Sequence, residues 1–249
     1  MKRALIVGGS SGIGLSMAVL LANRDKVDKV YIVDKAPIPD YCLTEKMEYF
    51  QFDLTETDYS IIDTFTDIDT LIITAGFGRL ALFKDIEEPL ISTYFQVNTL
   101  PVLRIIKHFY DKLLSNEDFY CGVMVSIAGF MSSPFFSVYG ATKAALKIFI
   151  ESVNVEIEKA GSTNRILNIS PGSIKGTSFN NGGTDLSQLE ELGSRILSEM
   201  EKKNDLFIPQ YEEVYQEVLR RYHEDFRAEG RHSYDYKLNS GRIDKNNQK

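Results

Sequence analysis

The sequence predicts an α/β fold in which helices cover both faces of a doubly wound parallel sheet. Six short apolar runs alternate with longer amphipathic segments, and several of the runs are apolar at consecutive positions. Strands buried on both faces have this second property. Alternating strands and helices favour right-handed crossovers, which place ligand sites at the carboxyl ends of the strands. The predicted strands are residues 4–7, 30–33, 49–52, 70–73, 122–125 and 165–169.

The segments between and after these runs predict the helices. Residues 14–23, 90–114 and 139–159 have amphipathic patterns, and so do residues 186–203 and 209–228. The last segment has a proline near its start and Gly230 past its end, and its aromatic and apolar residues share one face. We therefore predict a helical substrate-loop region over residues 178–230, with that face packed against the body or a partner subunit.

Composition limits the classes of function. The 249 residues include 28 Lys and Arg against 35 Asp and Glu, for a net charge of −7, which argues against a nucleic-acid partner. No apolar run approaches the roughly 18 residues of a membrane helix, so we expect a cytoplasmic protein without a membrane contact. Two distant cysteines and three scattered histidines favour neither a disulfide framework nor a metal site. The length suits one domain over residues 1–249.

A glycine-rich turn follows the first strand directly. Residues 8–14 have the sequence Gly-Gly-Ser-Ser-Gly-Ile-Gly and open a helical segment. Glycines let the backbone turn tightly and approach a pyrophosphate, whose charge then lies at a helix N-terminus. The predicted cofactor contacts in this loop are Gly8, Ser10, Ser11, Gly12, Ile13 and Gly14.

Asp34 indicates which dinucleotide binds. It ends the second strand, 22 residues after Gly12, where its carboxylate can accept hydrogen bonds from an adenosine ribose. The same carboxylate would repel a 2′-phosphate, and the glycine loop contains no Arg or Lys to attract one. The prediction is NAD rather than NADP, although Lys35 directly after Asp34 weakens the distinction.

These features lead to a family resemblance. The loop resembles the Gly-x-x-x-Gly-x-Gly turn of the short-chain dehydrogenase/reductase family, and Tyr139 and Lys143 resemble its Tyr-x-x-x-Lys pair. Ser126 lies thirteen residues before the tyrosine, as the family pattern has it. Further similar elements follow the family order over residues 1 to about 180: Asn98, the Thr-Ala-Gly turn at 74–76 in place of Asn-Ala-Gly, Asp53 with Leu54 and Thr55, and Pro171-Gly172 followed by Thr177.

The resemblance implies a single-domain Rossmann-type fold, a homodimer or homotetramer, and roles for individual residues. It implies that Lys143 also binds the nicotinamide ribose and that Asn98 holds a water in a proton relay. It further implies an apolar substrate wall from Phe130, Phe136 and Phe179. The cofactor contacts that it adds are Asp53, Leu54, Ala75, Gly76, Tyr139, Lys143, Pro171, Gly172, Ile174 and Thr177.

The chemistry of Tyr139 and Lys143 can also be argued from the residues. They are one helical turn apart, so both side chains project from the same face. A phenol has a pKa of about 10, and a nearby ammonium or an oxidised nicotinamide should lower it. Tyr139 could then protonate a developing alkoxide, or take the proton of an alcohol, while Ser126 holds the substrate oxygen. The predicted function is interconversion of a secondary alcohol and a ketone with a small-molecule substrate of unknown identity.

Two other functions remain open. An NAD-dependent epimerase or dehydratase could share the fold, although such enzymes usually have a substrate domain for which this chain lacks room. A catalytically silent cofactor-sensing protein could share it too, although such proteins tend to lose the Tyr–Lys pair.

The resemblance to the family pattern fades after Thr177, and the Pro-Gly turn before it already differs in one position. Gly176 occupies the place where a threonine usually follows the Pro-Gly pair, and Thr177 comes next. Family members usually finish with a seventh strand followed by a Gly-Gly pair, which the segment 231–249 lacks. Tyr234, Tyr236 and Leu238 alternate there, so this atypical tail predicts a replacement strand.

Overall fold

Strands and helices alternate along the chain in a computed structural model that describes residues 1–177, 179 and 183–240. The strands form one parallel sheet in the order β3-β2-β1-β4-β5-β6-β7, which confirms the predicted doubly wound fold. Their bounds are β1 Arg3–Val7, β2 Lys29–Asp34, β3 Met47–Gln51, β4 Thr70–Ile73, β5 Tyr120–Met124, β6 Arg165–Ile169 and β7 Leu206–Phe207. All six predicted strands are present, with ends shifted by at most two residues.

The helices lie on both faces of this sheet, and their bounds differ from the predictions in places. They are α1 Gly12–Ala22, α2 Glu88–Asn98, α3 Leu100–His108, α4 Tyr110–Leu114, α5 Ser137–Lys159, α6 Leu186–Glu201, α7 Gln216–Glu224 and α8 Phe226–Asn239. The single helix predicted over 90–114 is wrong, because Thr99 (φ −121°) separates α2 from α3 and Phe109 separates α3 from α4. The Thr99 hydroxyl donates to the carbonyl of Thr142, which fixes the first break against α5.

The core consists of two apolar layers, one on each side of the sheet. Strand β1 divides between them by alternation, since Leu5 and Val7 join one layer while Ala4 and Ile6 join the other. Helices α3 and α5 cover the first layer, and α1 and α6 cover the second. Cys121 in β5 lies in the first layer, where burial raises the pKa of its thiol, as expected of an inert buried cysteine.

The C-terminal part corrects two predictions. The alternating residues Tyr234, Tyr236 and Leu238 do not form a strand, because they lie in α8. Asp225 begins that helix by accepting the backbone N–H groups of Arg227 and Ala228 at 2.9 and 3.0 Å. The seventh strand of the sheet is instead the short β7, which pairs with the outer side of β6.

The helix predicted over residues 209–228 is also divided. A π-helical turn, Tyr211–Tyr215, precedes α7, and the extended backbone of Asp225 separates α7 from α8. Gly230, predicted to lie past the helix, is inside α8. Residue 178 and residues 180–182 of the predicted loop region, and residues 241–249 of the predicted tail, lie outside the described residues.

The order of the strands reverses between β1 and β4, which makes the carboxyl ends of these two strands the switch point of the sheet. Residues 8–14 and 74–76 follow β1 and β4 directly, so the fold brings the predicted glycine loop to that point. Among the described helices, none combines the length and the apolar composition needed to cross a bilayer.

Candidate active site

The glycine loop lies tightly against the turn after β4. Gly8 has φ +89°, and its N–H donates to the carbonyl of Val33 at 2.8 Å. A Cβ atom at Gly8 would overlap the backbone nitrogen of Ala75, and one at Gly14 would overlap the carbonyl oxygen of Gly8. These two glycines are therefore required by close backbone packing.

Thr74 fastens these two turns together. Its hydroxyl donates to the carbonyl of Gly8 at 2.8 Å. The substitution of threonine for the family's asparagine thus keeps a polar side chain between the first turn and the fourth strand.

The N-terminus of α1 has donors suited to an anion. Ser11 is the N-cap residue, but its side chain makes no capping hydrogen bond within the described part of the chain. The first turn of the helix carries no acidic residue. The N–H of Gly12 is close enough to bond an oxygen atom, and the hydroxyl of Thr184 accepts it at 2.8 Å. The partial positive charge at the N-terminus of this eleven-residue helix fits a pyrophosphate, because no acidic side chain in the first turn opposes it.

Asp34 lies beside this loop at the end of β2. Its carboxylate accepts the N–H groups of Ser10 at 3.1 Å and Ala36 at 3.3 Å. These bonds fix the carboxylate next to the glycine loop, where the hydroxyls of an adenosine ribose would be expected. The donor and acceptor set at this end of the sheet therefore fits a dinucleotide.

Two loops complete the cofactor side. The carboxylate of Asp53 accepts both the N–H and the hydroxyl of Thr55, and these bonds lower its pKa. After β6, the carbonyl of Pro171 accepts the N–H of Ile127 at 3.1 Å, which joins this loop to the segment after Ser126. Thr177 donates its hydroxyl to the carbonyl of Ile174. Its methyl group lies 3.8 Å from the position that a Cβ atom of Gly12 would take.

Asn98 is buried at the end of α2 and is bound to the backbone opposite. Its Oδ1 accepts the N–H of Phe77 and its Nδ2 donates to the carbonyl of Phe77, both at 2.9 Å. Oδ1 of Asn98 and Nζ of Lys143 both approach the open side of Gly76, at 3.2 and 3.4 Å from the position that a Cβ atom would take. The structure thus brings Asn98, Gly76 and Lys143 together.

Tyr139 and Lys143 project from the first two turns of α5 into one buried space. The ammonium of Lys143 lies 5.7 Å from the centre of the Tyr139 ring and donates to the carbonyl of Met124 at 2.9 Å. Ser126, two residues after β5 ends, is also buried, and its Oγ accepts the N–H of Ala128 at 3.1 Å. The Ser126 side chain also lies close enough to the phenol of Tyr139 to lower its pKa, so the three side chains form one group.

The electrostatics of this group differ from the expectation. Burial raises the pKa of Tyr139 to about 12, and the side chain of Ser126 opposes the rise without cancelling it. Burial also lowers the pKa of Lys143 to about 8, because the ammonium loses hydration. The expected depression of the Tyr139 pKa by its neighbour is therefore wrong for these residues alone: desolvation of the phenolate is the largest influence on this pKa and exceeds the opposing influence of Ser126.

The family model described as short chain dehydrogenase matches residues 2–185. The chain belongs to this family. Among its relatives, an uncharacterized oxidoreductase of Saccharomyces cerevisiae is 27% identical over 71% of this chain, but the match spans only 61% of the yeast protein. Estradiol 17-beta-dehydrogenase 1 of Rattus norvegicus is 28% identical over 61% of this chain and 48% of its own length.

Solved structures give the same fold. A short chain dehydrogenase from Burkholderia cenocepacia J2315, solved in complex with NADP, superposes with a TM-score of 0.75 at 20% identity. The match covers 94% of this chain and 99% of that one. The similarity therefore extends beyond the region of the family model into the C-terminal helices.

Aromatic side chains lie next to Tyr139. The ring centres of Phe136 and Phe179 both lie 5.3 Å from that of Tyr139, and 5.6 Å from each other. Phe130 takes a different place, because its ring packs under the ammonium of Lys147, one turn further along α5. Two of the three predicted wall residues thus adjoin the tyrosine.

Three residues of the site were missed by the sequence analysis. Tyr94 stacks on Phe77 with ring centres 4.6 Å apart, and its hydroxyl accepts the N–H of Arg79. Thr142 links Asn98 to α5 by accepting from Asn98 Nδ2 at 3.3 Å and donating to the carbonyl of Tyr139. Thr184 is the third, through its bond to Gly12. Only Thr142 had a sequence signal, because it lies within the Tyr-x-x-x-Lys segment.

The lowered pKa of Lys143 makes stability depend on pH. The unfolded chain binds a proton at this lysine up to its ordinary pKa of 10.5, whereas the native state releases it near 8. Between these values the unfolded state binds more protons, so the free energy of unfolding rises with pH by up to about 1.4 kcal/mol per pH unit. We expect Lys143→Met to lose this rise between pH 8 and 9.5, as measured by urea unfolding.

Lys147→Met is the matched control, because Lys147 lies one turn further along α5 and pairs with Glu151. This variant should keep the rise of the wild type. Equal slopes for the wild type and Lys143→Met would show that Lys143 keeps its charge in the native state.

Proposed function

We propose that this chain is an oxidoreductase that interconverts a secondary alcohol and a ketone with a nicotinamide dinucleotide. The observation that carries the proposal is the convergence of Ser126, Tyr139 and Lys143 in one buried space, with Asn98 and the glycine loop beside it. Each residue type has a distinct use in moving a proton at a carbonyl oxygen.

The proposed roles follow from the contacts of each side chain. Ser126 holds the oxygen of the substrate by a hydrogen bond, and Tyr139 donates its proton to that oxygen in reduction or takes it in oxidation. Lys143 supplies a cation next to the phenolate that Tyr139 becomes, and it binds the ribose of the cofactor. The nicotinamide ring supplies or accepts the hydride. Burial of all three side chains keeps bulk water away from the reacting atoms.

The family supports this reaction class. Its relatives include proteins named as oxidoreductases, and the rat relative is named as an estradiol 17-beta-dehydrogenase. Because this chain spans about half of the rat protein, the relative supports the class of chemistry and not the substrate. The aromatic wall formed by Phe136 and Phe179 favours a carbonyl substrate with an apolar face.

The experiment is a cofactor and substrate screen on the purified chain. Secondary alcohols with NAD, and ketones with NADH, are followed by the absorbance of the reduced nicotinamide. Net change in that absorbance supports the proposal. Conversion of substrate with no net change would favour the epimerase or dehydratase, and tight NADH binding without any conversion would favour a cofactor sensor.

We propose NAD as the preferred dinucleotide because the carboxylate of Asp34 lies beside the glycine loop. The Burkholderia protein is described with NADP, so the preference needs a direct test. Asp34→Ala should lower the affinity for NADH by about tenfold, since a hydrogen bond to a charged group contributes about 1.5–3 kcal/mol. The loss of a negative charge should at the same time raise the affinity for NADPH.

Fluorescence titration with NADH and NADPH measures both affinities. Asp40→Ala is the control, because Asp40 is an exposed carboxylate six residues further along and its removal changes the net charge equally. If the wild type binds NADPH at least as tightly as NADH, the argument from Asp34 is wrong.

The cytoplasmic location and the homodimer or homotetramer that the sequence analysis gives remain predictions. Exposed apolar side chains on α5, Ile148 and Val155, support an assembly through that helix.

A further inference from the structure

Helix α8 binds the loop between β5 and α5 through a buried lysine. The ammonium of Lys237 donates to the hydroxyl of Ser133 at 2.7 Å and to the carbonyl of Pro134 at 2.9 Å. It also donates to the hydroxyl of Ser233, one turn back on its own helix, at 3.1 Å. Only 8% of Lys237 is exposed, so the hydration that the ammonium loses must be replaced by these oxygen atoms. These bonds fix the position of Lys237 and attach the Ser133–Pro134 segment of the loop to α8.

The next residue of the loop adopts an unfavourable backbone conformation. Phe135 has φ +67°, in the left-handed region that a non-glycine residue rarely adopts, and it is buried. Its ring packs on Tyr234 of α8 with ring centres 4.6 Å apart, and its carbonyl accepts the N–H of Ala81 at 3.0 Å. Strained conformations persist only where surrounding contacts enforce them. Helix α8 supplies such contacts at two successive residues of the loop, Pro134 and Phe135.

The same loop places the ring of Phe136 next to that of Tyr139. The ammonium of Lys237 lies 5.4 Å from the centre of the Phe136 ring, and that ring lies 5.3 Å from the ring of Tyr139. The N–H of Phe136 donates to the carbonyl of Ser133, and its carbonyl accepts the N–H of Gly140 in the first turn of α5. The position of Phe136 thus depends on a loop whose conformation α8 sets.

We propose that Lys237 is a positioning residue that holds Phe136 against Tyr139, so that the C-terminal helix sets the aromatic wall for an apolar-faced carbonyl substrate. Lys237 acts through the Ser133–Pro134 segment and takes no part in the chemistry. The proposal rests on the proposed role of Tyr139, but the attachment itself can be tested without any substrate.

The first test measures the attachment by hydrogen exchange on the full chain. Lys237→Met keeps a long side chain and removes the three donors. The N–H groups of Phe136 and Ala81, which bond to this loop, should exchange about tenfold faster than in the wild type. Arg231→Met is the control, because Arg231 is exposed on the same helix and carries the same charge. Unchanged exchange at both positions in Lys237→Met would overturn the proposal.

The second test measures the effect on the pocket by a double-mutant cycle with Phe136→Ala. In the wild-type background, Lys237→Met should raise KM for an apolar ketone about tenfold and leave NADH affinity unchanged. In the Phe136→Ala background the same substitution should raise KM less than twofold, because the ring that it positions is gone. Equal effects in both backgrounds would overturn the positioning role, since a purely structural role does not depend on Phe136.

Ser133→Ala keeps the proposal testable if Lys237→Met fails to fold. It removes one acceptor, and its effects on exchange and KM should have the same direction at about threefold. If no substrate is converted by the wild type, the proposed function fails while the exchange result still decides whether Lys237 fixes the loop. Normal exchange with normal catalysis in Ser133→Ala would overturn the proposal.

Discussion

Tyr139→Phe should lower kcat about a thousandfold and leave the affinity for NADH within about twofold, because proton transfer by a positioned group contributes about 10²–10⁴-fold. The phenol of Tyr139 lies beside Ser126 in the buried site and carries a proton that it can transfer to a substrate oxygen. Phenylalanine keeps the ring and its contacts with Phe136 and Phe179, so the pocket should keep its shape. Stopped-flow or steady-state assays with a substrate from the screen measure kcat.

Tyr110→Phe is the control for loss of a phenol hydroxyl. Tyr110 donates to Glu156 at 3.1 Å, and burial raises the pKa of Tyr110 as it does that of Tyr139. It lies on α4, away from the glycine loop and the Tyr–Lys pair, so kcat should not change. Turnover by Tyr139→Phe within tenfold of the wild type would mean that another group moves the proton.

The elements that could be predicted from the sequence are those with local signals. The strands around the site are buried on both faces, so their apolar runs identify them, and the glycine turn follows the first run directly. Tyr139 and Lys143 share a helix, so their four-residue spacing is enough to place both on one face. In these cases a short stretch of sequence is enough to predict the element or the pair of side chains.

The predictions that failed depend on contacts between distant residues or on burial. The alternation of Tyr234, Tyr236 and Leu238 fits a strand, but the cap at Asp225 and the contacts of Lys237 and Tyr234 with the β5–α5 loop favour a helix. The partners of Lys237 are about a hundred residues away, so no local pattern could reveal them.

The prediction of a lowered Tyr139 pKa was wrong for a related reason. The spacing shows that an ammonium is near, but it does not show that the protein buries both groups. Desolvation acts on each group separately and destabilises its charged form, so it opposes the attraction that the sequence analysis emphasised. An oxidised nicotinamide, which the sequence analysis also named, would add positive charge beside the phenol and so favour the phenolate.

Gly8→Ala should abolish dinucleotide binding and destabilise the chain by more than the strain of its backbone alone. Gly8 has φ +89°, and a Cβ atom there would overlap the backbone nitrogen of Ala75 in the turn after β4. Because the obstacle is backbone, neither side chain can move to relieve it. The glycine loop and the turn at 74–76 would have to separate, which breaks the bond from Thr74 to the carbonyl of Gly8 and displaces the donors at the start of α1.

Gly161→Ala is the control that separates the cost of a positive φ angle from the cost of the atomic overlap at Gly8. Gly161 has φ +86°, and among the described residues no heavy atom outside its own neighbours lies within 4 Å of its Cβ position. Its alanine variant should lose about 1–2 kcal/mol of unfolding free energy, the cost of a left-handed residue, and should bind NADH normally. Gly8→Ala should lose at least 2 kcal/mol more in urea unfolding, a loss typical of disrupted core packing, and should show no NADH binding by fluorescence. Equal losses in the two variants would mean that the close contact with Ala75 relaxes at little cost, and that the glycine is required for its φ angle alone.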